Sequence, residues 1–244
     1  MKTLLGRFRV LVAFLLLVLS GRARAETNPM QGQRSLPMMG AEFRFVPGTW
    51  GTYRLLDKAA GQENMMYFAV LEEVRQRKGK AYWMEIEVVS TNNPVVVTRL
   101  LVPDTGEGPG EAQKAYVQIS GYRPFEVPKK YLKPSKQKSQ EQVGQFERYE
   151  PAGEPKGKTI KWKGRSLDAV IVDAKDPQGQ PVTVTVSEAT PPLCIVNMEA
   201  PSVTMELLDW GTGARTKIQG KPVGMWRWIF GVTMQAAGEA SSGK

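Results

Sequence analysis

The sequence contains no histidine. That absence removes the Ser-His-Asp and Cys-His nucleophilic devices in their usual form, together with histidine-ligated zinc and non-haem iron sites. The 244 residues hold one cysteine, Cys194, which excludes an intramolecular disulfide and cannot alone hold zinc or an iron–sulfur cluster. Cys194 lies in the apolar run Leu193-Cys194-Ile195-Val196, the setting of a buried, inert thiol. A G-x-x-x-x-G-K-[ST] phosphate loop and a strand-linked G-x-G-x-x-G are both missing. Gly106-Glu107-Gly108-Pro109-Gly110 is glycine-rich but carries acid where a phosphate cradle wants a helix start, so it reads as a flexible turn. No cofactor and no metal are expected.

Apolar runs long enough to cross a bilayer, about 20 residues, are also lacking. The longest spans residues 10–19 and follows the cationic start Lys2, Arg7 and Arg9. It is followed by Gly21-Arg22-Ala23-Arg24-Ala25, which ends in the A-x-A pattern of a signal peptidase site. Residues 1–25 therefore read as a cleaved signal peptide, and no cysteine stands near the cut to take an N-terminal lipid. Removing the leader's five bases from the 33 Lys and Arg leaves 28 against 24 acids, a net of +4 instead of +9. The basic balance that would suggest nucleic acid belongs largely to the leader, and nucleic acid is not an expected partner.

The remaining excess is local. Residues 123–165 hold twelve bases and five acids, a net of +7. A segment of this kind is either a solvated lysine-rich loop or a surface attracted to anionic headgroups or an acidic partner.

After an irregular lead-in over 26–48, strand signals dominate. Residues 49–56, 64–74 and 80–90 come first, the last two joined through the polar turn 75–79 as a hairpin. Tyr82, Met84, Ile86 and Val88 alternate with Trp83, Glu85, Glu87 and Val89, giving one apolar face and one mostly charged. The partner strand is apolar on both faces and is expected to be covered on both. Strands follow at 94–102, 114–120 and 142–149, with the proline-bearing 124–141 as a long loop or loosely helical crossing. A second hairpin joins 167–173 to 182–186, where Val182, Val184 and Val186 share a face. The last pair is 193–199 and 203–208.

Roughly nine or ten short strands with regular turn signals make the fold mainly antiparallel β. No helical period longer than two turns stands out. Residues 49–220 form the β domain, and 221–244 an aromatic then polar tail. The tail's Trp226 and Trp228 suit a membrane interface, a ligand cavity, or docking on the sheet.

Paired carboxylates are the remaining catalytic option, since a glycosidase needs two at a set separation. Glu85 and Glu87, at i and i+2 of a polar face, read instead as solvated surface. No catalytic residue is assigned, and the chain is not expected to be an enzyme.

One ordered series of elements carries a family resemblance. It runs through Gly48-Thr49-Trp50-Gly51-Thr52-Tyr53, Lys80-Ala81-Tyr82-Trp83-Met84-Glu85, Val143-Gly144-Gln145-Phe146-Glu147-Arg148-Tyr149, and the strand 183–187. It closes on Thr190-Pro191-Pro192-Leu193-Cys194-Ile195-Val196-Asn197 and Met205-Glu206-Leu207-Leu208-Asp209-Trp210-Gly211-Thr212-Gly213-Ala214. In this order the chain resembles the LolA/LolB-like periplasmic lipoprotein carriers and the exported proteins related to them. The resemblance implies a single curved antiparallel sheet, a half-open barrel with few short helices, whose concave face holds acyl chains in the periplasm. The ligand-facing residues would be Tyr82, Met84, Ile86, Val88, Val182, Val184 and Val186, with a lipid or acylated lipoprotein as partner. The same residues equally suit the plain core of a structural or protein-interaction module of the cell envelope.

Overall fold

A computed structural model describes residues 35–38, 43–77, 79–91, 93–106, 108–132, 145–148, 150–175 and 179–242. The expected signal peptide and much of the lysine-rich middle lie outside the described residues. Fifteen strands are present among those described: β1 (Ser35–Met38), β2 (Trp50–Asp57), β3 (Gln62–Gln76), β4 (Gly79–Ser90), β5 (Asn93–Pro103), β6 (Lys114–Ile119), β7 (Phe125–Glu126), β8 (Gln145–Arg148), β9 (Glu150–Pro151), β10 (Lys156–Trp162), β11 (Arg165–Lys175), β12 (Pro181–Val186), β13 (Ile195–Glu199), β14 (Val203–Gly211) and β15 (Val223–Gly224). The described residues also include the helix α1 (Met225–Ser242) and a 3-10 turn over Lys129–Tyr131.

Thirteen strands share one sheet in the order β10-β11-β12-β13-β14-β2-β3-β4-β5-β6-β7-β15, with β9 beside β10 on the edge of β11. Every pairing in it is antiparallel except β7 with β15. A separate parallel pair joins β1 to β8. The expected mainly β, curved, open sheet is what forms. Its curvature follows from bulges, which bend a strand and raise its local twist. They fall at Val70/Glu73, Val88/Ser90, Thr185/Val186 and Leu207/Asp209.

Period-2 patterning decides which side chains enter the curve. Tyr53 on β2, Met66, Phe68 and Val70 on β3, and Tyr82 and Met84 on β4 point inward. There they meet Val172, Val182, Val184, Val186, Ile195, Met198, Met205 and Leu207 from β11–β14. A second apolar cluster lies under α1, where Met225, Trp228 and Val232 cover Ala115, Val117 and Ile119 of β6 and Phe125 of β7. The Trp228 ring sits 4.7 Å from that of Phe125 and 5.9 Å from that of Tyr122.

The structure differs from the sequence reading in several elements: strand β1 lies within the expected irregular lead-in, and strand β7 within the expected loop 124–141. Residues 225–242, within the expected aromatic then polar tail, form an 18-residue helix, because Met225, Trp228, Ile229 and Val232 fall at i, i+3, i+4 and i+7. Residues 156–162, to which the sequence reading assigns no strand, form the edge strand β10 against β11.

Candidate functional site

The seven residues expected to face a ligand occupy two neighbouring stretches of the inner face. Tyr82, Met84, Val182, Val184 and Val186 are buried in one continuous apolar cluster, and Ile86 packs half-buried against it. Val88 is half-exposed at the far end of β4. Two of them meet apolar partners through the ladder: Val184 pairs with Val172 on one side and Met198 on the other, and Met84 pairs with Val70.

Two aromatic residues of the lead-in complete this cluster. The Phe45 ring stacks on Tyr82 at 4.5 Å and 14°, and Phe43 meets Phe68 edge-on at 6.0 Å. A backbone hydrogen bond from Arg44 N to Pro192 O, 3.1 Å, holds the segment there. These residues precede the expected start of the β domain at residue 49; the Phe-x-Phe spacing, which puts both rings on one side of an extended chain, is the sequence signal for their role.

The sheet curls until its far edge touches its middle. Although β11, β12 and β13 separate β10 from β14 in hydrogen-bonded order, Trp162 Nε1 of β10 donates to Leu207 O of β14 at 3.2 Å. The Trp162 and Trp210 rings lie 4.4 Å apart, Arg165 stands 5.5 Å over Trp210, and Lys163 Nζ donates to Leu208 O. Both carbonyls lie at the bulge between Leu207 and Asp209 and beyond the last residue of β14 paired with β13, Glu206. The strand ladder itself is not closed.

At the centre of the curl, the Tyr53 side chain is wholly buried and its hydroxyl has no hydrogen-bond partner among the described residues. Burial, then nearby Cys194, pushes this phenol well above its ordinary range. Gly51 makes room for it: a Cβ there would stand 2.8 Å from the Tyr53 ring.

The opposite face of β4 overturns one expectation. Glu85 is fully buried, not solvated. Residues 212–222, connecting β14 to β15, run across the outer face of the sheet as a strap. Trp50 Nε1 donates to Thr212 O at 3.1 Å, and Gln219 N donates to Gln118 Oε1 at 2.7 Å. Between them the Glu85 carboxylate accepts from Thr216 Oγ1 at 2.6 Å and from the Lys217 amide at 2.7 Å, one bond to each oxygen. Lys217 Nζ ion-pairs with Glu87 and lies 3.8 Å from the centre of the Tyr67 ring. Burial, followed by the charges of Glu85 and Glu87, pushes the Tyr67 hydroxyl up to about 12, so it stays neutral beside the two carboxylates. The strap also covers the outer side of β3, as that strand's apolar residues on both faces require.

Among the described residues no group of acidic or cysteine side chains is arranged to hold a metal ion, and no helix is long and apolar enough to cross a membrane. No protein-family model matches the chain, and no curated protein matches it. Among solved structures it is similar to a protein of Parabacteroides distasonis ATCC 8503, provisionally named a lipoprotein. That structure shows 11% identity and a TM-score of 0.30, over 70% of this chain and 99% of that one. At that score the similarity carries no argument about this chain.

Proposed function

We propose that the chain is an exported, non-catalytic protein of the cell envelope that acts by surface contact, its half-barrel filled by its own side chains. The carrying observation is that Tyr82, Met84, Val182, Val184 and Val186 are all buried among neighbours from β2–β4, β11–β14 and the Phe43–Phe45 segment. Export is supported by the leader-like residues 1–25. Absence of catalysis is supported by the lack of histidine and by Glu85, whose two oxygens already accept hydrogen bonds from the strap. Fully buried under the strap, that carboxylate is closed to a substrate. Native mass spectrometry of the purified protein, with lipid extraction, tests the reading. The expected result is a clean protein mass and no uptake of added fatty acid or phospholipid. A stoichiometric acyl species would overturn it.

A second reading, a LolA-like carrier of a lipid or acylated lipoprotein, is favoured by one feature, the unpartnered Tyr53 hydroxyl inside the curl. Buried polar groups are nearly always satisfied, and a ligand headgroup or ester would satisfy this one once Phe43 and Phe45 moved aside. Tyr53→Phe separates the two. With a filled core, deleting an unpaired hydroxyl is neutral or stabilises by about 1–2 kcal/mol in urea denaturation. Destabilisation, together with loss of a co-purified lipid, would favour the carrier.

A further inference from the structure

The helix that docks on the sheet leaves its other side uncovered. Met225, Trp228 and Val232 are buried, whereas Trp226 is 57% exposed and Phe230 is 70% exposed. The two lie at i and i+4 and therefore share one face of α1. They are two of only five large apolar residues exposed among the described residues, and the others, Val46, Leu56 and Val89, sit on separate elements. Exposed aromatics standing together ask for an occupant, whereas single ones do not.

The surroundings carry one sign of charge. Lys129 and Lys130 on the 3-10 turn and Arg227, next to Trp226 on α1, are exposed. Lys130 Nζ lies 4.8 Å over the Tyr131 ring and 5.9 Å from that of Trp226. The described side chains of these two elements, 129–131 and 225–233, include no acid. The nearest acid in sequence, Glu126 of β7, is paired with Lys114 at 3.5 Å. A tryptophan and a phenylalanine projecting from one helix face, with Lys130 at the tryptophan and Arg227 on the same helix, match a surface that is apolar below and anionic above. Aromatic rings settle at the boundary of headgroups and acyl chains, while basic side chains stay among the headgroups.

We infer that this face of α1, with the 3-10 turn beside it, docks the protein on a bilayer surface containing anionic lipid. Charge complementarity selects the occupant. An acidic groove on a protein would meet the same bases, but then the two rings would need matching pockets, whereas a bilayer accepts them in any rotamer. The inference names a partner for the surface contact proposed above and so rests on that reading. The mass-spectrometric test addresses the filled core and the following one the surface, so their failures are distinguishable.

The probe is vesicles of phosphatidylcholine mixed with phosphatidylglycerol, compared with vesicles of phosphatidylcholine alone. The full protein should co-sediment with the anionic vesicles, with a blue shift of tryptophan emission, and release in high salt. Trp226→Ser combined with Phe230→Ser should weaken binding about tenfold or more, and Lys129→Glu combined with Lys130→Glu should abolish its preference for anionic lipid. All four positions are exposed, so unchanged circular dichroism is expected and serves as the fold control. No binding to anionic vesicles overturns the inference. So does binding that survives the double serine variant, or capture of a protein partner through this face by a sample that ignores vesicles.

Discussion

Val184→Asp is expected to leave the chain without a cooperative fold. Val184 is completely buried in the centre of β12, between Val172 of β11 and Met198 of β13. A carboxylate there would lose its hydration, and its ladder neighbours Val172 and Met198 carry no side-chain donor to replace it. The penalty for an unpaired buried polar or charged group is several kcal/mol, set against a total stability of about 5–15 kcal/mol for a domain. Val88→Asp is the control. It lies on the same inner face but half-exposed, and should cost about 1 kcal/mol, as expected for a site with access to water. Far-UV circular dichroism and a urea titration of both variants decide the matter. A folded Val184→Asp protein with a midpoint close to that of the parent would mean that the inner face is solvated, and the ligand-carrying reading would then displace the filled core.

Which side chains share a face was legible in the sequence; what covers each face was not. The alternation in β4 places Tyr82, Met84 and Ile86 together, and that in β12 places Val182, Val184 and Val186 together, because a strand's two-residue period is local. That these groups from strands about a hundred residues apart meet in one cluster depends on how the sheet curls, and no local period encodes this. Edge strand β10 carries no apolar alternation, and Lys156, Lys158 and Lys161 give it the composition of a loop. Lysine along an exposed edge is how a sheet blocks pairing with another chain. In α1 the helical period was present at Met225, Trp228, Ile229 and Val232, but it competes with β-branched and aromatic residues and with Gly231, all poor helix formers. Packing against β6 and β7 outweighs that propensity. Glu85 was the hardest. An acid alternating with apolar residues reads as surface, and its burial is imposed by Thr216 and Lys217, more than 100 residues later in the chain.

The strap gives Glu85 a second large effect that sequence alone would not anticipate. Glu85→Ala should cost about 2–4 kcal/mol, since it strands the Thr216 hydroxyl and the Lys217 amide, each worth about 1–3 kcal/mol when left unsatisfied. For a chain of this length that corresponds to a fall in melting temperature on the order of 10 °C. Glu85→Gln keeps an acceptor for one of the two donors and should lose roughly half as much. Glu87→Gln should cost less than about 1 kcal/mol, because its Lys217 partner is partly exposed and the pair is screened by water. The order Glu85→Ala, Glu85→Gln, Glu87→Gln is therefore the signature of a latch made by hydrogen bonds to one buried carboxylate, not by surface charge. Hydrogen exchange adds a spatial readout. In Glu85→Ala the strap amides should lose protection first, and the loss should extend into β15 and the start of α1, which the strap leads into, while β11 and β12 keep theirs. Equal losses in all three variants, or uniform loss across the sheet, would mean that the strap lies over Glu85 without being held by it.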